Sequence, residues 1–505
     1  MVLKAQAPSD GAVLGSFEET PAAETGRIYE NSRAARDSWA TLSTVQRSAY
    51  LKRFRHVLID LQEEIADIIS ASTGKTKTDA LTTEVMGAAD ALKHVEKEAP
   101  GLMSNEKVKT PIHFAGKASY INRKPRGTVL IISPWNFPFQ LAVSPVAEAL
   151  AAGNTVILKP SEDTPMVGEL LRRLAALFPK DVLQVVMGDP DLGEALTSGN
   201  PDFIHFTGSV STGRKIQEKA AKELIPTTLE LGGKDAMTVF EDANVTRAAK
   251  AAVWGSFHNS GQVCLSTERV FVQKGIYDSF LTEVKQEAAK LRQGQDTDAD
   301  IGSMTTRRQY DHVKEQVQEA LDQGAVLETG KVPANWDDSN LFIEPVILTN
   351  VTPSMALWSV ETFGPVMPIM AFETEKEAVT LANDTEYGLG GSVFTSDIPR
   401  AERFTAGMKT GNMNINEVLL SVANFYLPYG GVKNSGIGKY HGRDGMRSFC
   451  IETSVLADKG TEDNEIIWYP NAGKYDLFLD MISNFWGQRR NWKSFIQSYM
   501  NLNKS

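Results

Sequence analysis

Between Gly127 and Gly233 the chain alternates strand and helix patterns five times with short connections, and this alternation constrains the fold more than any other feature. GTVLIIS is a continuous apolar run, as a strand buried on both faces of a parallel sheet requires. SPVAEALAAG follows as a helix closed by Gly153. NTVILKP, DVLQVVMG, DFIHFTG and TTLELGG repeat the strand pattern, and TPMVGELLRRLAALF, DLGEALTSG and STGRKIQEKAAKEL supply the helices between them. Thr164 stands as the N-cap of the second helix, with Pro165 in its first turn. Alternation of this kind predicts a doubly wound α/β domain.

The 505 residues exceed what a single core supports, so two or three domains are expected. Upstream of the alternation the patterns are helical. A long helix is predicted from Val45 to Gly74, where Tyr50, Phe54, Leu58, Leu61 and Ile65 keep helical spacing. AGKASYINRKPRG reads as an extended pair or connector. From Ala243 to about Tyr440 helices and strands alternate less regularly. The tail after Gly460 is distinct: it places Tyr475, Phe478, Ile482 and Phe485 on one helical stripe, followed by Arg489-Arg490.

Composition excludes several classes. A net charge of −11 argues against a nucleic-acid partner. Two cysteines, Cys264 and Cys450, make no disulfide framework and suit a reducing compartment. No secretory h-region and no uninterrupted apolar run of about 18 residues is present. A soluble, cytoplasmic protein is expected.

Several short stretches carry candidate chemistry, each beside an ordinary structural explanation. In FTGSVSTG a strand runs into a helix, where backbone N–H groups attract phosphate and Gly208 permits close approach, although the spacing to Gly213 is not GxGxxG. In ILKPSEDTP, Lys159 and Glu162 lie at the end of a strand, where open α/β sheets bind ligands; a solvated loop is the plain alternative. Glu230 sits between Leu229 and Leu231, where desolvation raises a carboxyl toward the range of a general base; an anion at a helix N-terminus is the plain alternative. Cys264 follows a glycine-containing turn in SGQVC; free cysteine is also among the most buried residue types. His258 lies upstream, but its spacing gives no support for a Cys/His pair. In PWNFPFQ two prolines would aim the Asn136 amide rigidly, or merely stiffen an aromatic loop.

In their order along the chain these pieces resemble the aldehyde dehydrogenase superfamily over nearly the whole length. PWNFP (134–138), GNTVILKPSE (153–162), FTGSVSTG (206–213), LELGGK (229–234), SGQVC (260–264), ETFGPV (361–366) and LPYGGVKNSGIGKYHG (427–442) carry the resemblance. ELGGK followed by GQxC at this separation is its most specific part. The resemblance implies an α/β, aldehyde dehydrogenase-like fold: a Rossmann-type dinucleotide-binding domain over 1–104 and 124–232 and an α/β catalytic domain over 233–445. A small oligomerisation strand element from 105–123 and 446–460 would follow, with a C-terminal extension over 461–505.

The resemblance also implies NAD(P)-dependent oxidation of an aldehyde to a carboxylic acid, without a metal, through a thiohemiacetal and a thioester on Cys264. Asn136 and the backbone N–H of Cys264 would form the oxyanion hole, and Glu230 would activate the hydrolytic water. Lys159 and Glu162 would hold the adenosine ribose, Gly208 and Ser209 the pyrophosphate, and Glu361 the nicotinamide ribose. Phe363 would pack near the nicotinamide, and Trp135, Gly213 and Leu231 complete the cofactor set. Glu162 favours NAD, with NADP as the second cofactor.

Glu230 implies a hydrolytic rather than a CoA-acylating member. KYHG and the tail are closest to the class 3, fatty- or aromatic-aldehyde branch, although the N-terminal region is longer than in that branch. A hydrophobic aldehyde is therefore the first expectation. A semialdehyde dehydrogenase for a small polar substrate is the alternative, and a non-catalytic structural relative the remote one. A homodimer is expected. The tail covers a neighbouring subunit, or its own core, or, as the weakest of the three readings, touches a membrane surface. Phe137, Phe139, Trp254, Phe257 and Phe425 are aromatic candidates for an entrance tunnel.

Overall fold

The computed structural model describes residues 2–504. The chain divides into two compact units, one of Met1–Ser104 with Arg123–Glu452 and one of Asn105–Asn122 with Thr453–Ser505.

In the first unit the alternating stretch forms five parallel strands: Thr128–Ile132, Thr155–Lys159, Leu183–Val185, Phe203–Thr207 and Thr227–Glu230. Across the sheet Thr128–Ile132 lies between Thr155–Lys159 and Phe203–Thr207, with Leu183–Val185 beyond the one and Thr227–Glu230 beyond the other. The chain thus winds outward from its first strand in both directions, the doubly wound arrangement that leaves a crevice at the C-terminal strand ends. Register aligns those ends: Ile132 faces Lys159 and Phe206, and Thr207 faces Glu230. The short strand Gly436–Ile437 adds antiparallel to Thr227–Glu230, pairing Gly436 with Glu230.

The apolar runs are continuous because both faces are covered. Val129, Ile131, Val156 and Leu158 enter one core cluster, and Leu130, Ile157, Ile204 and Leu229 enter another, so alternate residues serve opposite faces. A second sheet of seven strands places Thr267–Gln273 between Asp235–Val239 and Val366–Phe372. Gly232, Gly233 and Lys234 link the two sheets, and the Cys264 turn leads directly into Thr267–Gln273.

Local expectations were refined at three places in this unit. The predicted helix over 45–74 breaks at Leu61 (φ −102°, ψ 11°) into Thr44–Asp60 and Gln62–Thr73, while Phe54, Leu58 and Ile65 remain in one cluster. The helix expected from Ser144 begins at Gln140, because Glu84 accepts the N–H groups of Phe139 and Gln140 at 2.9 and 3.0 Å. Thr164 occupies the cap position, but its hydroxyl accepts no helix N–H; Pro165 makes the start instead.

In the second unit, Glu106–Val108 pairs antiparallel with Ala118–Pro125, in a sheet completed by Cys450–Ala457. Two helices follow, Tyr475–Trp486 and Trp492–Leu502. Ile466, Met481, Phe495 and Leu502 form a small core, with Phe478 and Phe485 packed against it. The single stripe expected in the tail is therefore two faces. Phe478, Met481 and Phe485 point inward, whereas Tyr475, Leu479, Ile482 and Trp486 are exposed. Both sets keep helical spacing, which is why the sequence did not separate them. Among the described residues no helix is long and apolar enough to cross a membrane.

Candidate active site

The helix Val245–Phe257 ends at His258, and three residues then take left-handed backbone: Asn259 (φ 50°), Ser260 (φ 56°) and Gly261 (φ 71°). Such a run is unfavourable for Asn and Ser and needs support. Ser260 Oγ donates to Gly302 O at 2.8 Å. Asn259 Nδ2 donates to the carbonyls of Asn136 (3.2 Å) and Gln262 (3.1 Å), and Gln262 Nε2 returns a bond to Asn259 O at 3.0 Å. Gln262 Oε1 accepts the Thr305 N–H at 2.9 Å. Gly261 is required twice, by its φ and because a Cβ there would overlap the Gly364 carbonyl.

This turn leaves Cys264 partly exposed, with its Sγ 3.2 Å from Tyr429 Oη. Burial pushes the thiol up to about 12; the Tyr429 hydrogen bond opposes the rise, and the carboxyl groups of Asp235, Glu230 and Glu361 add to it. His258 faces elsewhere: its Nδ1 lies 3.4 Å from Asp79 Oδ1.

Asn136 is buried, and its Nδ2 donates to Gln262 O at 3.0 Å, which ties the amide to the nucleophile turn. A primary amide has a second N–H. The Asn136 carbonyl accepts from Lys75 Nζ at 2.8 Å. Lys75 is fully buried, pairs with Glu84 at 2.7 Å, and lies 4.1 Å from the Phe137 ring centroid. Glu84 comes from a π-helical turn, Ala80–Val85, a distortion that often accompanies functional sites. One buried ion pair thus holds the middle of PWNFP, at Asn136, and the two residues that follow it, Phe139 and Gln140. Sequence reasoning missed Lys75 and Glu84, and no local pattern marks them.

Glu230 ends its strand almost fully buried, and neither carboxyl oxygen has a partner among the described residues. Burial raises its carboxyl well above the usual range, with Lys439 opposing. A carboxyl group in this setting is poised to accept a hydrogen bond from a small polar molecule.

The remaining sequence-derived residues lie along the C-terminal edge of the first sheet and the loop before Val366–Phe372. Lys159 Nζ lies 2.9 Å from Glu162 Oε2. Ser209 caps the helix Val210–Lys222, accepting the Thr212 N–H at 3.4 Å, and the Gly208 N–H donates to Glu230 O at 3.0 Å. Gly213 lets that helix approach the sheet, since a Cβ there would overlap Leu231. Glu361 accepts the Gly233 N–H at 2.9 Å, and burial lifts its carboxyl to about 8.

Sequence reasoning also missed Glu268. Its two oxygens accept the N–H groups of Thr362 and Phe363, each at 2.8 Å, and it pairs with buried Lys234 at 2.6 Å. This clamp holds Phe363 at φ 50° with its ring edge-to-face on Trp135, centroids 5.5 Å apart.

These residues fit a nicotinamide dinucleotide. A helix N-terminus stands at the strand ends for a pyrophosphate, Lys159 and Glu162 suit one ribose, and Glu361 suits a second. Of the aromatic entrance candidates, Phe139 and Phe257 are core, and Phe425 is buried against His441. Phe137 and Trp254 instead flank the His258 ring, with centroids at 6.4 and 5.2 Å, and Trp254 is exposed.

A model of the aldehyde dehydrogenase family matches residues 2–455. A 4,4'-diapolycopene aldehyde oxidase of Methylomonas sp is 39% identical, covering 96% of this chain and 92% of its own length. A provisionally named NADP(+) succinate-semialdehyde dehydrogenase of Mycobacterium ulcerans is 34% identical, covering 88% and 85%. The solved structure of a Mycobacterium tuberculosis aldehyde dehydrogenase complexed with NAD+ matches with a TM-score of 0.85 at 32% identity, covering 91% of this chain and 95% of that one.

Proposed function

The chain belongs to the aldehyde dehydrogenase family and is an NAD(P)-dependent enzyme of it, and from that premise we propose that it oxidises a hydrophobic aldehyde, aliphatic or aromatic, to the carboxylic acid on Cys264. The Cys264 sulfur adds to the aldehyde carbon and forms a thiohemiacetal. The second N–H of Asn136 and the backbone N–H of Cys264 stabilise the oxyanion that develops there. Bound NAD(P) supplies the hydride acceptor, and the chain is left carrying a thioester. Glu230 removes a proton from the water that hydrolyses this thioester, which divides one difficult oxidation into two easier steps.

The observation that carries this reading is the Glu230 carboxyl group, buried at the end of its strand without a partner among the described residues and close enough to Cys264 to disfavour its thiolate. It supports hydrolysis over transfer to coenzyme A. Lys159, Glu162, Gly208, Ser209, Gly213, Leu231, Glu361, Phe363 and Trp135 bind and orient the dinucleotide. NAD is the preferred cofactor, because Glu162 repels a 2′-phosphate.

Part-buried Phe137 and exposed Trp254, which flank the buried His258 ring, support an apolar entrance. So does the Methylomonas relative, whose name specifies a 4,4'-diapolycopene aldehyde. The succinate-semialdehyde name of another relative keeps the small polar substrate as the second reading.

We assign 1–104 and 124–232 to cofactor binding, 233–445 to catalysis, and 105–123 with 446–460 to subunit pairing in a homodimer. The outward apolar residues of 461–505 support contact with a second subunit ahead of a membrane surface. Two free thiols support a cytoplasmic, reducing location.

The test follows cofactor reduction by purified protein without coenzyme A. NAD and NADP are each offered with short, long-chain, aromatic and semialdehyde substrates. Turnover highest with the long-chain or aromatic aldehydes is expected; turnover with semialdehydes alone overturns the substrate class.

A further inference from the structure

Beside the nucleophile lies a group of buried polar side chains that the reaction above does not use: Tyr429, Tyr440, His441, His205 and Glu148. They run inward from Cys264. Tyr429 Oη is the hydrogen-bond partner of the Cys264 sulfur, at 3.2 Å. The Tyr429 backbone is fastened to that of Tyr440 by a reciprocal pair of hydrogen bonds, 2.7 and 2.9 Å, and the two rings meet edge-to-face with centroids 5.3 Å apart. The next residue, His441, has φ 61° and ψ 165°, an unusual backbone for a side chain of its size. Its N–H is held by Glu148 Oε1 at 3.1 Å, from within the helix Gln140–Ala152. Glu148 is buried, and its other carboxyl oxygen has no partner among the described residues.

We propose that Tyr429 is a further catalytic residue, donating its phenol hydrogen bond to the Cys264 sulfur and stabilising the thiolate, and that Glu148 is its positioning residue, acting through the His441 backbone. This rests on the reading of Cys264 as the nucleophile.

The surroundings explain why such a donor matters. Facing Cys264 are Glu230 at the end of Thr227–Glu230, Asp235 at the start of Asp235–Val239, Glu361 from the loop before Val366–Phe372, and the phenols of Tyr429 and Tyr440. The three carboxyl groups disfavour a thiolate. Lys439, which acts on Glu230, donates its Nζ to Gly430 O at 2.6 Å. The imidazoles of His205 and His441 are each brought down to about 3 by burial, so they stay neutral near pH 7 and offer no positive charge. The Tyr429 hydroxyl is the contact that favours the charged sulfur. Tyr429 faces Cys264, Tyr440 and Glu230, and burial keeps its own proton in place, so it donates a hydrogen bond and does not act as a base. The proton leaving the thiol goes to solvent, to which Cys264 is partly exposed.

The experiment measures the rate of iodoacetamide alkylation of Cys264 against pH, with the labelled site read by peptide mass spectrometry. Wild type, Tyr429→Phe, Glu148→Ala and Glu148→Gln are compared, with thermal melts on each. Tyr429→Phe keeps the ring and loses the donor. On the rising limb of the profile, below the titration of the thiol itself, its alkylation rate is expected to be about 3- to 10-fold lower at each pH, as a hydrogen bond to a charged group is lost and the thiolate gains nucleophilicity. Because a less acidic thiol gives a more nucleophilic thiolate, the corresponding loss in kcat/KM near pH 7 is about 3- to 10-fold. Glu148→Ala is expected to shift the profile the same way by less, whereas Glu148→Gln, which keeps an acceptor for the His441 N–H, leaves it in place.

An unshifted profile in a folded Tyr429→Phe protein overturns the assignment of Tyr429. An unshifted Glu148→Ala profile overturns the positioning role, and that variant still reads the device if Tyr429→Phe does not fold. Wild-type protein that is fully alkylated at Cys264 and still oxidises aldehyde overturns the nucleophile itself, an outcome distinct from both.

Discussion

The cofactor edge and the nucleophile turn lie in one unit and meet at Glu230, yet they are built by different means. Along the edge, strand register does the placing. Ile132, Lys159, Thr207 and Glu230 come level because their strands pair as they do, and each motif follows its own strand within a few residues. At the nucleophile turn, side chains do the placing from far along the chain. Lys75 reaches Asn136 across 61 positions, Glu84 reaches Phe139 across 55, and Gln262 reaches Thr305 across 43. Three successive left-handed residues are tolerated only inside that web. Binding geometry at the strand ends thus comes from backbone pairing, whereas reaction geometry, like the Glu268 clamp on Phe363, comes from buried polar contacts whose loss leaves a charge without its partner.

Substitutions should separate the two regions. Glu230→Gln stands at their junction and is expected to lower steady-state turnover by about 10²–10⁴-fold, the usual contribution of a general base. The pH profile checks the role independently. The base works ionised, so activity should rise with pH through a value above the ordinary carboxylate range, because burial raises the Glu230 carboxyl. The variant should lose that limb. Asn136→Ala is expected to lower kcat by about 10²–10³-fold with little change in KM for the cofactor.

Lys75→Met tests the web at a distance from any substrate. It leaves Glu84 buried and unpaired, so denaturant melts should show a loss of about 3–5 kcal/mol, and kcat should fall with it as the Asn136 carbonyl loses its anchor. Glu162→Ser touches the edge alone. It should leave kcat with NAD unchanged within error and improve the NADP-to-NAD ratio of kcat/KM by about five- to tenfold. If Lys75→Met alters only cofactor affinity, or Glu162→Ser collapses kcat, the division fails.

The same difference decided what was legible in the sequence. The apolar strands, their helices and the motifs at the strand ends are encoded by neighbouring residues, so five strands and the four helices between them sufficed to read the sheet. Cys264, Asn136 and Glu230 were likewise marked by their short motifs. Lys75, Glu84 and Glu268 were not, and Tyr429 lay inside LPYGGVKNSGIGKYHG without a role. A lysine after a helix, a glutamate in a distorted turn and a tyrosine in a glycine-rich loop look the same whether they face solvent or a nucleophile. Only packing brings them there. The tail shows a related ambiguity: Phe478 and Ile482 keep helical spacing, yet one faces the small core and the other is exposed.

The most direct test of the central claim is the mass of the enzyme after one turnover. Glu230→Gln protein is mixed with NAD and a long-chain or aromatic aldehyde, quenched in acid, and digested. The account predicts about one reduced cofactor per subunit and an acyl group on the peptide that contains Cys264, persisting because water is no longer activated. An acyl group on another residue, or undiminished turnover with no acyl enzyme, would contradict it.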